Sequence, residues 1–518
     1  MVVIEQFTCV STAEVIVAVF FSVIIYIFLL LIYRVYFSPL SRFPGPRLAA
    51  ATLWYEFYFD VVKRGRFAWE IKRMHELYGP VVRINPFELH VSEPDFYEEL
   101  YAGQMRKRNK LDWSADMFIC PDSILSTVDH DLHRKRRAPL APYFSLSAIR
   151  RFDTVIRSKL ELLSQKFENY RKSGQPINLD VAFTALTTDI ITQYSFGISY
   201  DFLEANEFNP EWLPLLKGAS EQSLLTKQMP WLTRAMRKIP VAWLVKVKPE
   251  MANLVRFQAV SAIGIDTCLR EVMSGSVAPS KKNECPTVFH GLLQSSLPAS
   301  ELSLRRLQGE GETLVAAGTL TTAHYLRSTV YHILANPAIL CKLHEELKPM
   351  MSNPALLPPF NELDQAPYLR AVINEGFRLS HGIIARLTRV APDEVLEVAG
   401  YKIPAGTPLS MSSWLVHMNP DLFSSPDEFQ PERWLEPGAN HLKKYLVNFT
   451  KGSRTCLGKD LARMEIVYTL ALIVGRWVGE DGNGMELFET TRADADIEHD
   501  FFNPFPRSES KGIRVLLK

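Results

Sequence analysis

Hydrophobic patterning divides the chain sharply near its start. Val15 to Ile32 is almost wholly apolar, broken only by Ser22 and Tyr26. As a helix this run extends roughly 27 Å, about the thickness of a bilayer's hydrocarbon layer. A cleaved leader usually has a basic start and a shorter apolar run. Here Glu5 and Glu14 lie at the start, and Arg34, Arg42 and Arg47 follow the run. That charge order predicts a membrane anchor with the body of the protein on the cytosolic side. Next comes Ser38-Pro39-Leu40-Ser41-Arg42-Phe43-Pro44-Gly45-Pro46, where proline fixes φ and removes donors. The expected organisation is an anchor over residues 1–36, a stiff proline-rich connector over 37–50 and one large body over 51–518.

Helical spacing dominates the body. Phe67, Ile71, Met74 and Tyr78 predict a helix stopped by Gly79-Pro80. Val81 to Ile84 and Glu88 to Val91 read as a short hairpin. Between Arg108 and Asp122 the pattern breaks down, and Trp113, Met117, Phe118 and Ile119 are free either to face a ligand or to pack in the core. The basic run His130 to Arg137 reads as a helix with His133 and Arg137 on one face. Residues 150–275 are mostly helical, with turns near Ser173-Gly174 and Asn209-Pro210, and 276–300 reads as an exposed loop. Leu302 to Leu334 is the longest helical pattern and ends at Asn336-Pro337. Its middle, Ala316-Ala317-Gly318-Thr319-Leu320-Thr321-Thr322, carries glycine and β-branched threonines that are locally poor for helix stability. A local rule broken there points either to function or to close packing at Gly318. A helix over Leu369 to Leu379 carries Glu375 and Arg378, three apart and able to pair. Short strands follow at Arg386–Val390, Glu397–Val398 and Leu409–Ser412, with a turn at Pro404-Ala405-Gly406. The sum is a mainly α fold with small β-sheets, an α+β class.

Composition narrows the function little. A hydrophobic share of 47% and a charged share of 22% suit a large globular core, and a net charge of +1 gives no reason to expect a nucleic-acid partner. Six scattered cysteines contain no C-x-x-C pair, which argues against zinc and against a disulfide framework. The most informative stretch is Phe449 to Gly458, where Cys456 lies between two glycines with Arg454 two residues before it. An apolar-periodic segment begins at Leu461, so the loop delivers a cysteine to the start of a helix, where free N–H groups and the dipole favour a thiolate. Glycine there allows positive φ or close approach of the backbone to a large flat group.

Together these stretches resemble the cytochrome P-450 superfamily of haem-thiolate monooxygenases. The decisive element is Phe449-x-x-Gly452-x-Arg454-x-Cys456-x-Gly458, with Glu375-x-x-Arg378, Pro431-Glu432-Arg433-Trp434 and Ala317-Gly318-x-x-Thr321-Thr322 in the right order. The resemblance implies the P-450 fold over 51–518 and haem b ligated through iron by Cys456, whose thiolate favours O–O cleavage. It implies that Arg137, Arg389 and Arg454 hold the propionates, with His133 where tryptophan is usual, and that Phe449 adjoins the haem. It implies a buried triad of Glu375, Arg378 and Arg433 bracing the cysteine loop. It assigns proton delivery to Thr321 and room for dioxygen to Gly318. Leu320 departs from the pattern, standing where an acid is usual and leaving Thr321, Thr319 and water to supply protons. Ser380-His381 also departs, where a proline is common.

Looser cues resemble fungal membrane-bound members that tailor terpenoids or polyketides: Pro142-Tyr143-Phe144-Ser145 after the basic run, and His499-Asp500-Phe501-Phe502. An apolar substrate pocket is expected from Phe118, Ile119, Leu314, Ile383, Ile384 and Phe502. Electrons are expected from NADPH through a membrane reductase, with cytochrome b5 as a further candidate donor. The implied location is the endoplasmic reticulum membrane through a single-pass N-terminal anchor. A haem-thiolate isomerase or peroxide-driven enzyme, motivated by Leu320, and a non-catalytic haem-binding membrane protein are the alternatives.

Overall fold

A computed structural model describes residues 11–115, 117–118, 120, 122–231, 239, 243, 245–246, 251–275, 287–351, 357–478 and 484–518. Ile119, Cys9, Cys285 and residues 276–286 lie outside the described residues. The exposed loop expected over 276–300 is corrected beyond them: Val288–Leu293 is a short helix with Val288, Phe289 and Leu292 buried in the main core. Helix α1 spans Thr12–Ile32 and opens on a capping box in which Ser11 and Glu14 satisfy each other's backbone N–H groups. None of its residues is buried, and with the helical turns to Phe37 it is long and apolar enough to cross a membrane. The stretch after it is not a free spacer. Arg34 donates to the Ala51 carbonyl at 3.0 Å, and Arg83 donates to the Arg34 carbonyl at 2.8 Å. Leu40 and Phe43 are buried with Val81, Val91 and Ile403. Apolar burial, rather than proline stiffness alone, therefore fixes the chain where it leaves α1.

The expected elements are present with shifted ends. Helix α2 spans Phe67–Tyr78 and stops at Gly79, whose φ is +95°. Strands Val81–Arg83 and Leu89–Val91 pair antiparallel, with Val81 opposite Val91. They join a five-stranded sheet through Pro408–Ser410, then Arg389–Val390 and Asn109–Lys110. The strand read from Arg386 is thus only Arg389–Val390, because Arg386 turns inward to pair with Glu56 and Glu88. Three very short strands, Ile177–Asn178, Arg514–Leu517 and Met485–Leu487, form a second sheet. They are too short for alternation to reveal them. A hairpin of His499–Phe501 and Asn503–Phe505 was likewise not read as strands.

Helix α3 spans His130–Arg137, α4 Asp153–Ser173, α5 Leu179–Phe196, α6 Trp212–Gln228 and α7 Met251–Met273. The long helix α8, Leu304–Leu334, starts two residues later than its apolar pattern, since Ala299–Leu302 makes a separate tight turn. Helix α9 is Pro337–Leu347, α10 is Pro367–Ser380 and α11 is Lys459–Trp477. Helices α5, α10 and α11 pack against α8 at the centre of the main core.

Small residues set the α5–α8 approach. A Cβ on Gly318 would lie 2.6 Å from Ile191 Cγ1 on α5, so glycine is required for the helices to close. Thr319 is buried, its hydroxyl 3.1 Å from that of Thr188, and its carbonyl accepts from Thr187. Gly318→Ala is expected to destabilise by about 1–3 kcal/mol through overpacking. Combined with Ile191→Ala it should cost less than the two changes summed, by about 0.5–3 kcal/mol. Denaturant unfolding of both single variants and the double variant measures this, and strict additivity would refute the contact.

Candidate active site

The cysteine loop is closed by its own backbone. The Cys456 N–H donates to the Phe449 carbonyl at 2.8 Å, and the Thr455 hydroxyl donates to the same oxygen at 3.2 Å. Gly452 has φ +74°, and a Cβ there would meet the Ala102 and Tyr101 carbonyl oxygens at 2.1 and 2.2 Å. Its close approach is thus to the protein's own backbone. Gly458 has φ −82°, and a Cβ there would touch no protein atom within 4 Å. Cys456 is accessible at its surface yet densely surrounded, so its thiol opens onto interior space and not onto bulk water. Burial pushes its pKa up; the Gly458 N–H, then Arg137 and Lys459, pull against that. The helix-start effect expected from sequence is present but outweighed, because desolvation penalises an isolated anion.

The expected triad forms and is larger than expected. Arg378 meets Glu375 through two hydrogen bonds of 2.7 and 3.0 Å, and Arg433 Nε reaches the same carboxylate at 3.2 Å. Trp434 Nε1 and the Gln430 N–H, both at 2.9 Å, complete its acceptor sites. Arg378 also donates to the carbonyls of His417, Pro426 and Glu428. The brace reaches the cysteine loop through Phe377, whose ring packs edge-on to Phe449 at 5.1 Å and whose carbonyl accepts from Asn448.

His133, Arg137, Arg389 and Arg454 come from separate elements into one electrostatic cluster, and Lys110 joins them. Burial lowers the His133 pKa, and Arg454, Lys110, Arg137 and Arg389 lower it further. Burial, then Arg389, pushes Arg454 down to about 9. Arg454 donates to the carbonyls of Thr127 and Val128 at 2.8 and 2.7 Å, while its Nε is buried without a partner. Arg389 donates to the carbonyls of Leu387 and Thr388 and lies over the Tyr101 ring. Lys110 donates to the Leu125 carbonyl. Among the described residues none of these cations makes an ion pair with a carboxylate. Sequence reasoning missed Lys110; a lone lysine beside Leu111 and Trp113 was the available signal. It also missed that Arg136 turns inward to Glu301 at 2.7 Å, leaving Arg134 and Lys135 exposed.

On α8, Ala317 is exposed and Thr321 half-exposed within an otherwise buried helix, and the Thr321 hydroxyl donates to the Ala317 carbonyl at 2.7 Å. Two expectations for this helix are corrected. The space left by Gly318 is filled by Ile191, so this glycine serves helix packing and not room for dioxygen. Thr319 is turned into the α5 contact and is unavailable for proton supply. Leu320 is buried in the main core. A crevice partly open to solvent has Lys110 and Arg389 on its wall with Trp113, Met117, Phe118, Leu224 and Phe502. Leu314 and Ile384 pack in core clusters away from that wall, and Ile383 is not on it.

A thiol facing interior space, beside buried cations that lack a counterion, suits a haem-thiolate oxidoreductase: the two propionates of a haem would supply the missing anions. Residues 46–486 match the family model described as Cytochrome P450. The chain is 41% identical over 493 residues to the tryptophan 6-hydroxylase fscE of Fusarium equiseti, covering 95% of this chain and 94% of that one. It is 40% identical over 504 residues to the cytochrome P450 monooxygenase MO6277 of Ascocoryne sarcoides, covering 94% and 96%. To the fusicoccadiene C-8 hydroxylase of Phomopsis amygdali it is 38% identical over 493 residues, covering 94% and 93%. The chain belongs to the cytochrome P450 family, and it is a monooxygenase of that type.

Proposed function

We propose that the chain inserts one oxygen atom of dioxygen into a largely apolar small molecule, a terpenoid or polyketide intermediate of secondary metabolism. Cys456 would hold the iron of haem b through its thiolate; Arg137, Arg389 and Arg454, with His133 and Lys110, would hold the propionates. When bound, haem supplies an open iron position backed by a strongly donating thiolate, which favours O–O cleavage. Phe449 packs beside it, and Glu375, Arg378 and Arg433 keep the loop in place. Thr321 holds a proton on the oxygen side, where Leu320 offers none. The reading is carried by the Cys456 thiol together with cations that have no carboxylate partner among the described residues. Helix α1 anchors residues 51–518, the catalytic domain, to the endoplasmic reticulum membrane.

Electrons come from NADPH through a membrane reductase, with cytochrome b5 as a second donor. Arg134, Lys135, Lys443 and Lys459 are exposed and suit an acidic partner, whereas Arg136 is engaged inside. The test uses membranes containing the chain and reductase, fed terpene and polyketide precursors under isotopically labelled dioxygen. Product with one labelled atom, dependent on NADPH, is expected. Combined Lys135→Glu and Lys459→Glu should slow reduction about tenfold or more at low salt without changing substrate affinity. Product formed without NADPH and reductase would favour the isomerase or peroxide-driven reading instead.

A further inference from the structure

One wall of the crevice is charged. Glu88, Lys227, Arg386 and Asp500 line it, opposite an apolar side that includes Trp113, Phe118 and Phe502. Behind it lie Glu56 and Asp60, both buried. The two cations are engaged by three of the four acids, all but Asp500. Lys227 Nζ lies 2.5 Å from Asp60 and 3.0 Å from Glu56. Arg386 reaches Glu56 at 2.7 Å and Glu88 at 3.1 Å, and Glu88 also accepts from Thr388 at 2.5 Å.

Asp500 is the acid left over. It is 8% exposed, and among the described residues no cation makes an ion pair with it. Oδ1 accepts the Phe502 N–H at 2.9 Å, and the Asp500 N–H donates to the Gly65 carbonyl at 2.9 Å. That pins the hairpin tip, where Phe502 adopts φ +72° and meets Phe118 edge-on at 4.7 Å. A carboxylate and an aromatic pair are thereby held at one end of the same crevice.

We propose that Asp500 is the docking carboxylate for a substrate bearing a basic nitrogen, whose apolar or aromatic body lies against Trp113, Phe118 and Phe502. This rests on reading the crevice as the substrate site and narrows that substrate class. An incoming ammonium supplies the cation that the cluster lacks. Beside Asp500 an anionic headgroup finds no free partner among the described residues, since Lys227 and Arg386 already serve Glu56, Asp60 and Glu88. Lys110 and Arg389, also on the crevice wall, are assigned to the propionates.

The geometry carries a pH signature. Burial, then Asp60, pushes Asp500 up to about 7, against the pull of Lys227 and Arg386. Glu56 and Glu88 complete the charged groups around it, and neighbouring His499 is engaged with the Arg64 carbonyl at 2.8 Å. Below that pH the carboxyl is neutral; above it, it is an anion. Affinity for a cation therefore rises as pH climbs through about 7 and is lost below it.

The test is equilibrium dialysis of the haem-loaded full chain with phenylbutylamine and with its uncharged counterpart phenylbutanol. The amine should bind about tenfold tighter than the alcohol at mildly alkaline pH. That advantage should vanish in acid and in Asp500→Asn, which keeps the acceptor for Phe502, while alcohol binding stays unchanged. Equal binding of the two probes, or an amine preference that survives Asp500→Asn, overturns the proposal. Iron ligation by the amine would be independent of Asp500 and belongs to the overturning outcome. The reduced carbon monoxide spectrum of the same samples reports the haem-thiolate reading separately, because it does not depend on Asp500.

Discussion

Cys456→Ser is expected to abolish the red-shifted Soret band of the reduced carbon monoxide complex and to bring turnover to background, with the fold retained. The fold should survive because the loop is held by backbone bonds, chiefly Cys456 N–H to Phe449 carbonyl, and by the Gly452 approach to residues 101–102. The band should not, because a serine hydroxyl cannot become an anionic ligand at accessible pH. No other described thiol is placed to substitute. Cys120 is buried against Glu312 and Cys268 donates to the Phe196 carbonyl, while Cys341 is exposed on α9. The burial that raises the Cys456 pKa makes the free thiol a poor anion on its own. A metal cation beside it reverses that preference, as it does for coordinated thiols in general. Difference spectroscopy with circular dichroism on the same sample decides the matter, and a surviving band would overturn the ligand assignment.

Glu375→Ala should be the most destabilising single change in the body, costing about 3–5 kcal/mol. The carboxylate accepts five hydrogen bonds, from Arg378, Arg433, Trp434 and Gln430. Arg378 and Glu375 are both fully buried, so truncating the acid strands a guanidinium away from water. Glu375→Gln keeps the shape and loses the charge, and should fall between wild type and alanine. Because Phe377 links this helix to Phe449, haem content should drop with stability. Urea unfolding and haem absorbance measure the two effects. A loss under about 1 kcal/mol would place the triad among dispensable ion pairs.

Much of this was legible along the chain. Period and stop signals located α2, α8 and α10 within a few residues, because long amphipathic helices ending in glycine or Asn-Pro leave strong local marks. The cysteine loop was legible because its glycines, arginine and cysteine lie within ten residues. The very short strands were not, since their pairing is decided by partners hundreds of residues away, as with Arg514 opposite Asn178. Gly318 shows the boundary well. The sequence marked it as anomalous and left two meanings open; only the position of Ile191 on α5 selected packing.

The order and spacing of residues by themselves determined the family, the mainly α architecture, the apolar N-terminal helix and the cysteine that faces the interior. These depend on local periodicity and on groups held close together by the chain. The tertiary structure alone decided which charges meet. It brought Lys110 into the cationic cluster, turned Arg136 towards Glu301, gave Glu375 its tryptophan partner and left Asp500, on the crevice wall, without an ion-pair partner among the described residues. Charge interactions act through space and are strengthened by burial, and neither distance nor burial is written in the linear order of residues.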